Sequence, residues 1–330
     1  MSDPFDEFAW IDSLKSLTRE HPGALDLADD AAIIAGRPGY ELVISKDAMV
    51  EGVHFPVDES AEVIARRLLR TSLSDLAAKA AQPFGYLLTI ALPKSKDSAW
   101  RAAFRAGLAA DGQTFDIALL GGDTVSTPGS LTLEATVLGW VGQGRAILRS
   151  GAREGDKLIV CGAIGDGWLG LMAALGKAPD PTGELARRYR LPEPLFVLGP
   201  SLERFAHAAA DVSDGLLADA GHIASASCLG LTLDLDSFPV SAEASEWLGA
   251  QADPDNARLQ LAAGGDDYAI VCAVAERDES AFVSAVRSLG VPAASVGRFD
   301  PAFTGLRATN ATGPVSPGTT GWRHGHAPLA

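Results

Sequence analysis

The stretch SKDAMVEGVHF at residues 45–55 places an acid, a glycine and a histidine close together in the chain. The apolar run before it, residues 41–45, predicts a β-strand, and residues 49–55 predict another. Asp47 then lies at the end of an apolar strand, where backbone and side chain can approach a ligand closely. A lone histidine is more often structural than a ligand, so His54 becomes a candidate only through its neighbours.

Acids of the same kind recur along the chain, each at the end of an apolar run and several beside glycine. They lie in the segments Asp29-Asp30, Asp75, Gly121-Gly122-Asp123, Asp211-Val212-Ser213-Asp214 and Gly264-Gly265-Asp266-Asp267. A single segment of this type is most often a turn or a helix cap. Their recurrence in both halves of the chain favours a shared role, because carboxylates are the oxygen donors that suit Mg²⁺.

The charge balance limits the partners that this chain can take. Lys plus Arg number 27 and Asp plus Glu number 42, so the formal net charge is −15. A nucleic-acid partner is disfavoured, because phosphate backbones are bound by basic surfaces. A small phosphate ligand remains compatible if several Mg²⁺ ions bridge the carboxylates and the phosphate oxygens. Acid clusters beside glycine turns therefore predict a metal-dependent phosphotransferase.

Several other classes are excluded or disfavoured. The sequence contains no P-loop motif, no secretory signal and no apolar stretch long enough to span a membrane. Residues 165–170, GDGWLG, match the dinucleotide pattern G-x-G-x-x-G, but turn residues at 176–183 replace the expected second strand, so we interpret them as a tight strand-to-helix turn. The widely spaced Cys161, Cys228 and Cys272 predict buried reduced thiols and a cytoplasmic location.

The length of 330 residues favours two domains. The pattern of predicted elements restarts near Arg149, which suggests domains at residues 1–148 and 149–330. Strands and helices alternate irregularly in both parts, which favours α+β domains over one doubly wound sheet. A strand is predicted at 31–35, and the Gly-, Pro- and Thr-rich chain after Asp300 is predicted to be irregular.

In their order and spacing, these segments resemble the thiamine-monophosphate kinase family of the aminoimidazole ribonucleotide synthetase-like superfamily. The segments that carry the resemblance are ADDAA at 28–32, SKDAMVEGVHF at 45–55, LSDLAA at 73–78, LGGDT at 120–124, RSGA at 149–152, DVSDGL at 211–216 and GGDDY at 264–268. The resemblance implies an N-terminal α/β domain whose sheet dimerises and a C-terminal α+β domain. It implies phosphorylation of thiamine monophosphate by ATP, with several Mg²⁺ ions, in a homodimer that binds neither nucleic acid nor membrane.

Site residues are carried over only where the segments match. The metal-binding positions are Asp30, Ser45, Lys46, Asp47, Asp75, Asp123, Asp211 and Asp214, of which Asp30, Asp75, Asp123 and Asp214 are expected to be catalytic. The ATP-binding positions are Gly122, Asp123, Arg149 and Ser213. The thiamine-phosphate positions are His54, Asp266 and Trp322.

This chain departs from the family pattern at several of these positions. Lys46 stands where the family usually has Thr, and its ammonium cannot bind a metal, so any metal contact there must come from the backbone. The alternative is that the Lys46 side chain contacts a phosphate directly. Asp266 replaces the usual Glu, Ala28 replaces Gly, and Val125-Ser126 replaces Thr-Arg. Two alternatives stay open: a superfamily relative that phosphorylates an amide or carboxylate oxygen, and an ATP-binding dimer without catalysis.

Overall fold

The computed structural model describes residues 6–318 and 320–321. It divides into two compact units. The N-terminal unit comprises the described chain up to Leu76 together with Ala81–Gly144. The C-terminal unit comprises Ala77–Ala80 and the chain from Arg145 onward.

The N-terminal unit is built on a four-stranded sheet, counted within the described residues. Its elements are α1 (Glu7–Leu14), β1 (Tyr40–Val50), α2 (Ala61–Ala78), β2 (Gln82–Pro93), α3 (Ser98–Thr114), β3 (Ala118–Thr127) and β4 (Thr132–Gly142). The strand order is β1-β4-β2-β3, with β2 and β3 parallel and the other pairs antiparallel. Strands β1 and β3 are therefore the two edges of the sheet.

The two faces of this sheet differ in burial. On one face Leu88, Ile90 and Leu133 are buried, while on the other Ile44 and Val125 are exposed. This alternation follows from the two-residue period of a strand. The buried face lies toward the helices, because a Cβ on Gly139 of β4 would meet Leu76 of α2 at 3.2 Å. The opposite face, which we call the open face, carries both apolar and charged side chains.

The C-terminal unit contains a mixed sheet, seven-stranded within the described residues, in the order β11-β10-β7-β9-β5-β8-β6. Its strands are β5 (Lys157–Cys161), β6 (Ala206–Asp211), β7 (Gly230–Asp234), β8 (Ile270–Val274), β9 (Ala293–Asp300), β10 (Gly305–Asn310) and β11 (Gly313–Val315). Its helices are α4 (Asp166–Ala174), α5 (Glu184–Arg190), α6 (Gly199–Phe205), α7 (Leu216–Ala226), α8 (Ala242–Gly249), α9 (Pro254–Ala263) and α10 (Glu279–Ser288).

The C-terminal sheet is buried on both faces. In β5, Leu158 and Val160 belong to one apolar cluster, whereas Ile159 and Cys161 belong to a second. All five residues of β8 are buried for the same reason. Near-continuous apolar strands are typical of a sheet covered on both sides. The α+β expectation for this part of the chain is confirmed.

Four predictions about local structure were wrong. Residues 31–35 form no strand, and residues 49–50 continue β1 into a tight turn at 51–55. The chain after Asp300 is not irregular, because β10 pairs with β7 and β11 with β10. Cys228 is exposed, although Cys161 and Cys272 are buried, and all three are free thiols. Among the described residues, no helix is both long and apolar enough to cross a membrane.

One buried ion pair ties α2 to α3. The carboxylate of Asp111 is fully buried and accepts hydrogen bonds from Arg70 Nε at 2.7 Å, Arg70 Nη2 at 3.0 Å and Arg66 Nε at 3.1 Å. Nearby, a Cβ on Gly107 would lie 2.4 Å from the Glu62 carbonyl oxygen, so the two helices touch at backbone distance. Two guanidinium groups at this close contact share the Asp111 carboxylate, and Arg66 also lies 3.9 Å from the exposed Glu62 carboxylate.

We predict that Asp111→Asn lowers the free energy of unfolding by about 3–5 kcal/mol, because it leaves buried positive charge without its counter-charge. Urea unfolding followed by circular dichroism measures the loss. The matched control is Asp116→Asn, which removes the exposed ion pair with Arg19. It should cost about 1 kcal/mol or less. Equal losses in the two variants would contradict the assignment.

Candidate functional site

Ser45, Asp47 and Asp75 form an oxygen-rich cluster between β1 and α2. The Ser45 hydroxyl donates a hydrogen bond to Asp75 Oδ2. Burial, together with the negative charge of Asp75, raises the pKa of Asp47 to about 6, against the lowering effect of a hydrogen bond from Ser72. The cluster therefore holds closely spaced carboxylates with too little positive charge beside them. Three oxygen donors of this type fit a hard divalent cation such as Mg²⁺.

Lys46 points away from that cluster. Successive residues of a strand face opposite sides of a sheet, so Lys46 lies on the open face. Its Nζ lies 2.7 Å from Glu134 Oε1, and Thr89 Oγ1 donates to the same oxygen at 3.4 Å. An ammonium group has no lone pair for a metal. The structure thus gives the Lys46 side chain a carboxylate partner, and only its backbone is suited to a metal.

A second group of predicted residues lines a cavity of about 220 Å³ in the N-terminal unit. Its walls include Asp29, Asp30 and residues 121–124, with apolar side chains from α1 and from the segment after it. Trp10 of α1 donates through Nε1 to Thr124 Oγ1 at 3.3 Å, which ties the helix to β3. The cavity therefore joins two of the acidic segments, Asp29-Asp30 and Gly121-Gly122-Asp123.

Gly122 allows β3 to approach β2 closely at this cavity. A Cβ on Gly122 would lie 1.9 Å from the carbonyl oxygen of Leu88 on β2, a distance that no real Cβ tolerates. The neighbouring Gly121 has room, since its Cβ would meet Leu87 Cδ2 at 3.5 Å. The glycine requirement in this segment is thus specific to position 122.

The cluster on β1 and the cavity at β3 lie at opposite edges of the sheet. Three inter-strand spacings of about 4.8 Å separate these strands, or roughly 14 Å. Asp123 also shares the open face with Thr89, to which it is paired in register, whereas Asp47 faces the helices. Within one chain, the N-terminal acids therefore form two groups and not one.

His54 lies in the turn that follows β1. Its Nδ1 accepts a hydrogen bond from the backbone N–H of Val50 at 3.0 Å, which in a neutral ring places the proton on Nε2. Lys96 Nζ lies 2.6 Å from Glu51 Oε1 and fixes the start of the same turn. The turn therefore presents His54 in one defined tautomer, with Nε2–H as a hydrogen-bond donor.

In the C-terminal unit, one buried carboxylate organises the turn between β6 and α7. Asp219 Oδ2 accepts hydrogen bonds from the N–H groups of Ser213 and Asp214, both at 3.0 Å, and of Gly215 at 3.2 Å. Burial, together with the charge of Asp214, raises the pKa of Asp219 to about 7, against the lowering effects of the backbone hydrogen bonds and of Arg149. Asp211, Ser213 and Asp214 thus lie together before α7. The charge of Arg149 reaches Asp219, although the Arg149 carbonyl accepts a hydrogen bond from Ser227 at the other end of the helix.

Asp266 is joined to the same turn through the backbone. Its N–H donates to the Ser213 carbonyl at 2.8 Å, and Tyr268 donates through its hydroxyl to Asp266 Oδ1 at 2.9 Å. Asp266 and Tyr268 both have positive φ values, 62° and 51°. The structure therefore brings Asp266 beside the turn that carries Ser213 and Asp214. Trp322 lies outside the described residues.

The G-x-G-x-x-G segment at 165–170 has a structural role. Asp267, partly buried, accepts hydrogen bonds from the N–H groups of Gly165 and Gly167 at 2.9 Å, and burial of its carboxylate raises its pKa well above the usual range. A dinucleotide phosphate would need these donors at the start of the helix. The chain's own carboxylate already uses them, in agreement with a strand-to-helix turn and not with a dinucleotide site.

Sequence reasoning missed Asp219, His222 and Asp267. Asp219 was overlooked because an acid in the first turn of a helix is an ordinary helix-capping choice. The spacing of Asp219 and His222, three residues apart on one helix face, was the available signal. Asp267 was grouped with Asp266 as one acidic segment, although the two side chains have different partners.

Comparison with known proteins identifies the family to which this chain belongs. Residues 28–141 match the family model of the AIR synthase related protein, N-terminal domain, and residues 153–304 match that of the C-terminal domain. The curated thiamine-monophosphate kinase of Caulobacter vibrioides is 52% identical over 321 residues, covering 97% of this chain and 90% of that protein.

Solved structures agree with this assignment. The crystal structure of thiamine-monophosphate kinase from Stenotrophomonas maltophilia K279a has a TM-score of 0.81 at 38% identity, covering 93% of this chain and 97% of that one. A structure described as AaThiL complexed with AMPPCP and TMP has the same fold, with a TM-score of 0.76 at 24% identity and 96% coverage of both chains. The chain belongs to the thiamine-monophosphate kinase family and consists of the two AIR synthase related domains.

Proposed function

We propose that this protein transfers the γ-phosphoryl group of ATP directly to thiamine monophosphate, giving thiamine diphosphate and ADP. The observation that carries the proposal is the 52% identity to a curated thiamine-monophosphate kinase over 97% of the chain. The aligned region includes every acidic segment from Asp29-Asp30 to Asp266-Asp267. The structure supports the proposal because Ser45, Asp47 and Asp75 lie together, and the two carboxylates repel each other.

Several Mg²⁺ ions are part of this proposal. The residues proposed to hold them are the carboxylates Asp30, Asp47, Asp75, Asp123, Asp211 and Asp214, the hydroxyl of Ser45 and the backbone at Lys46. When bound, the ions neutralise charge on the phosphate groups and so lower the barrier to phosphoryl transfer. Asp30, Asp75, Asp123 and Asp214 are proposed as the catalytic subset.

The chain itself contributes binding and alignment. The acceptor is a phosphate oxygen that is already ionised at neutral pH, so the reaction needs no strong general base. Gly122, Ser213 and Arg149 are proposed to bind ATP, with backbone N–H groups and one guanidinium as donors to phosphate. In-line geometry would then come from holding donor and acceptor phosphates in fixed positions, which is the main protein contribution to reactions of this class.

The acceptor substrate is proposed to contact His54 and Asp266, together with Trp322 from outside the described residues. His54 offers Nε2–H to the phosphate of thiamine monophosphate, because Nδ1 is already bound by Val50. Asp266 is held by Tyr268 and offers negative charge to the thiazolium cation. A cation–π contact with an aromatic face such as that of Trp322 would stabilise binding of the same cation by about 0.5–2 kcal/mol.

The decisive experiment is formation of thiamine diphosphate from thiamine monophosphate, ATP and Mg²⁺ by the purified protein. We expect product from the monophosphate, none from free thiamine and none with EDTA. We predict that Asp75→Asn lowers kcat by at least about 100-fold, since it removes charge needed to hold a cation. The amide oxygen can still accept from Ser45, so the fold should be retained.

The control for that variant is Asp58→Asn, which removes an exposed acid in the loop between β1 and α2. It should leave kcat within about twofold. ATP binding without product from thiamine monophosphate would favour a non-catalytic binder. Turnover only with an amide or carboxylate acceptor would favour the superfamily relative. Full activity of Asp75→Asn would exclude Asp75 from the machinery.

Position 122 gives a second test of the proposed ATP site. We predict that Gly122→Ala lowers both thermal stability and ATP affinity, because the new Cβ would force β3 away from the Leu88 carbonyl. Gly121→Ala, with an ordinary 3.5 Å contact, should change neither by more than a small amount. Differential scanning calorimetry and ATP titration measure the two effects. Equal behaviour of the two variants would argue against the close-approach explanation.

We also propose a homodimer formed through the open face of the N-terminal sheet. Leu42, Ile44, Leu87 and Val125 are exposed there, and their register places them on the same side of β1, β2 and β3. Exposed apolar side chains gathered on one sheet face are typical of an interaction surface. The acids at the two edges of the sheet, roughly 14 Å apart in one chain, would then border the dimer interface.

We predict that Ile44→Glu converts the dimer to a monomer, because it places an unpaired charge in the interface. Sedimentation velocity measures the change in mass. Leu289→Glu, an equally simple change at an exposed leucine after α10, should leave the dimer intact. A wild-type protein that remains monomeric at all concentrations would refute the proposal.

A further inference from the structure

We propose that Asp214, Asp219 and His222 form a binding site for one divalent transition-metal ion at the start of α7. Among the described residues, each of these three side chains offers one ligand atom, and the three atoms lie within 4.8 Å of one another. Two carboxylate oxygens and one imidazole nitrogen make up the donor set. His222 has no role in the proposed phosphoryl transfer, and Asp219 has only a structural one.

The backbone geometry suits a metal site. Asp219 and His222 are three residues apart on α7, so their side chains share one face of the helix. A carboxylate and a histidine at this spacing form the ligand pair of metal sites in helical bundles. Asp214 comes from the turn immediately before the helix. Ligand bonds of about 2.0–2.2 Å place ligand atoms roughly 3.3–4.4 Å apart, so a small side-chain rotation closes the present arrangement.

The second observation is an unsatisfied oxygen on Asp219, the buried member of this trio. The Asp219 side chain is only 1% exposed, and its Oδ2 is occupied by three backbone donors. Its Oδ1 is buried and has no hydrogen-bond partner within the described structure. A buried carboxylate oxygen without a donor is costly in a folded protein, and such an atom calls for an explanation. A cation bound to Oδ1 supplies it.

The three backbone donors also make this oxygen a good ligand. They fix the plane of the Asp219 carboxylate, so little side-chain freedom is lost when Oδ1 binds a metal. The nearby Asp214 adds a second negative charge, while exposed His222 can turn toward the ion from the solvent side. Three protein ligands leave at least one position open for water or a phosphate oxygen.

The donor set distinguishes this ion from those of the other acidic clusters. Ser45, Asp47 and Asp75 offer oxygen only, which suits Mg²⁺. An imidazole ligand favours transition-metal ions such as Zn²⁺ over Mg²⁺. The site would therefore bind a transition metal in the absence of nucleotide, independently of whether the protein phosphorylates thiamine monophosphate.

The competing interpretation is metal-free: Asp219 serves only as the anchor of the turn, and His222 is an exposed side chain. Pulsed electron paramagnetic resonance with Mn²⁺ separates the two, because it detects a ¹⁴N nucleus bound to the metal. The sample is the full-length protein with stoichiometric Mn²⁺ and no nucleotide. We expect ¹⁴N modulation in the wild type and its loss in His222→Gln.

His54→Gln is the matched control, since His54 lies near the other acidic cluster. It should retain the ¹⁴N signal. Mn²⁺ titration should show affinity at this site about tenfold weaker or more in His222→Gln. Absence of ¹⁴N modulation in the wild type, or its persistence in His222→Gln, would overturn the proposal.

The kinase assay is run separately with Mg²⁺. A negative kinase assay would therefore not affect the metal-binding result, and a negative metal-binding result would not affect the kinase assay. Because His222 is exposed, its substitution should leave the fold intact, which circular dichroism checks.

Discussion

The turn between β6 and α7 is held by a single buried carboxylate, that of Asp219, which receives three backbone N–H groups on one oxygen. The carbonyl of Ser213 in this turn receives the N–H of Asp266, and Tyr268 holds the Asp266 carboxylate in turn. Asp267 then fixes the start of α4 through Gly165 and Gly167. The site of the C-terminal unit is therefore one connected network of acids and backbone donors.

Aspartate side chains have two different roles in this protein. Asp267 and Oδ2 of Asp219 are committed to backbone donors and position the turns. Asp47 and Asp75 are instead close to each other, and burial together with the charge of Asp75 raises the pKa of Asp47. Carboxylates of the second kind are poised to bind cations. In a chain of net charge −15, those cations would provide the attraction for anionic substrates.

The two sheets place these acids in different environments. The C-terminal sheet is covered on both faces, so its acids lie at strand ends and in turns. The N-terminal sheet has one open face, where Lys46 and Asp123 lie within the strands themselves. Glu134 compensates Lys46 there, at 2.7 Å. The lysine is therefore accommodated by a local ion pair and not by a change in the sheet.

The sequence by itself determined the two-part α+β organisation, the family and most strands, since apolar periodicity and the acid–glycine segments are local signals. Strand β10 was missed because its pairing with β7 is a long-range contact, and β11 was missed because the segment that pairs with β10 has a turn-rich composition. The separation of Asp47 from Asp123 was decided by strand order, which no local pattern contains. The distinct roles of Asp266 and Asp267, and the unsatisfied oxygen of Asp219, were likewise decided by the tertiary structure. Hydrogen-bond partners distant in sequence determine whether an acid anchors a turn or remains available for a ligand.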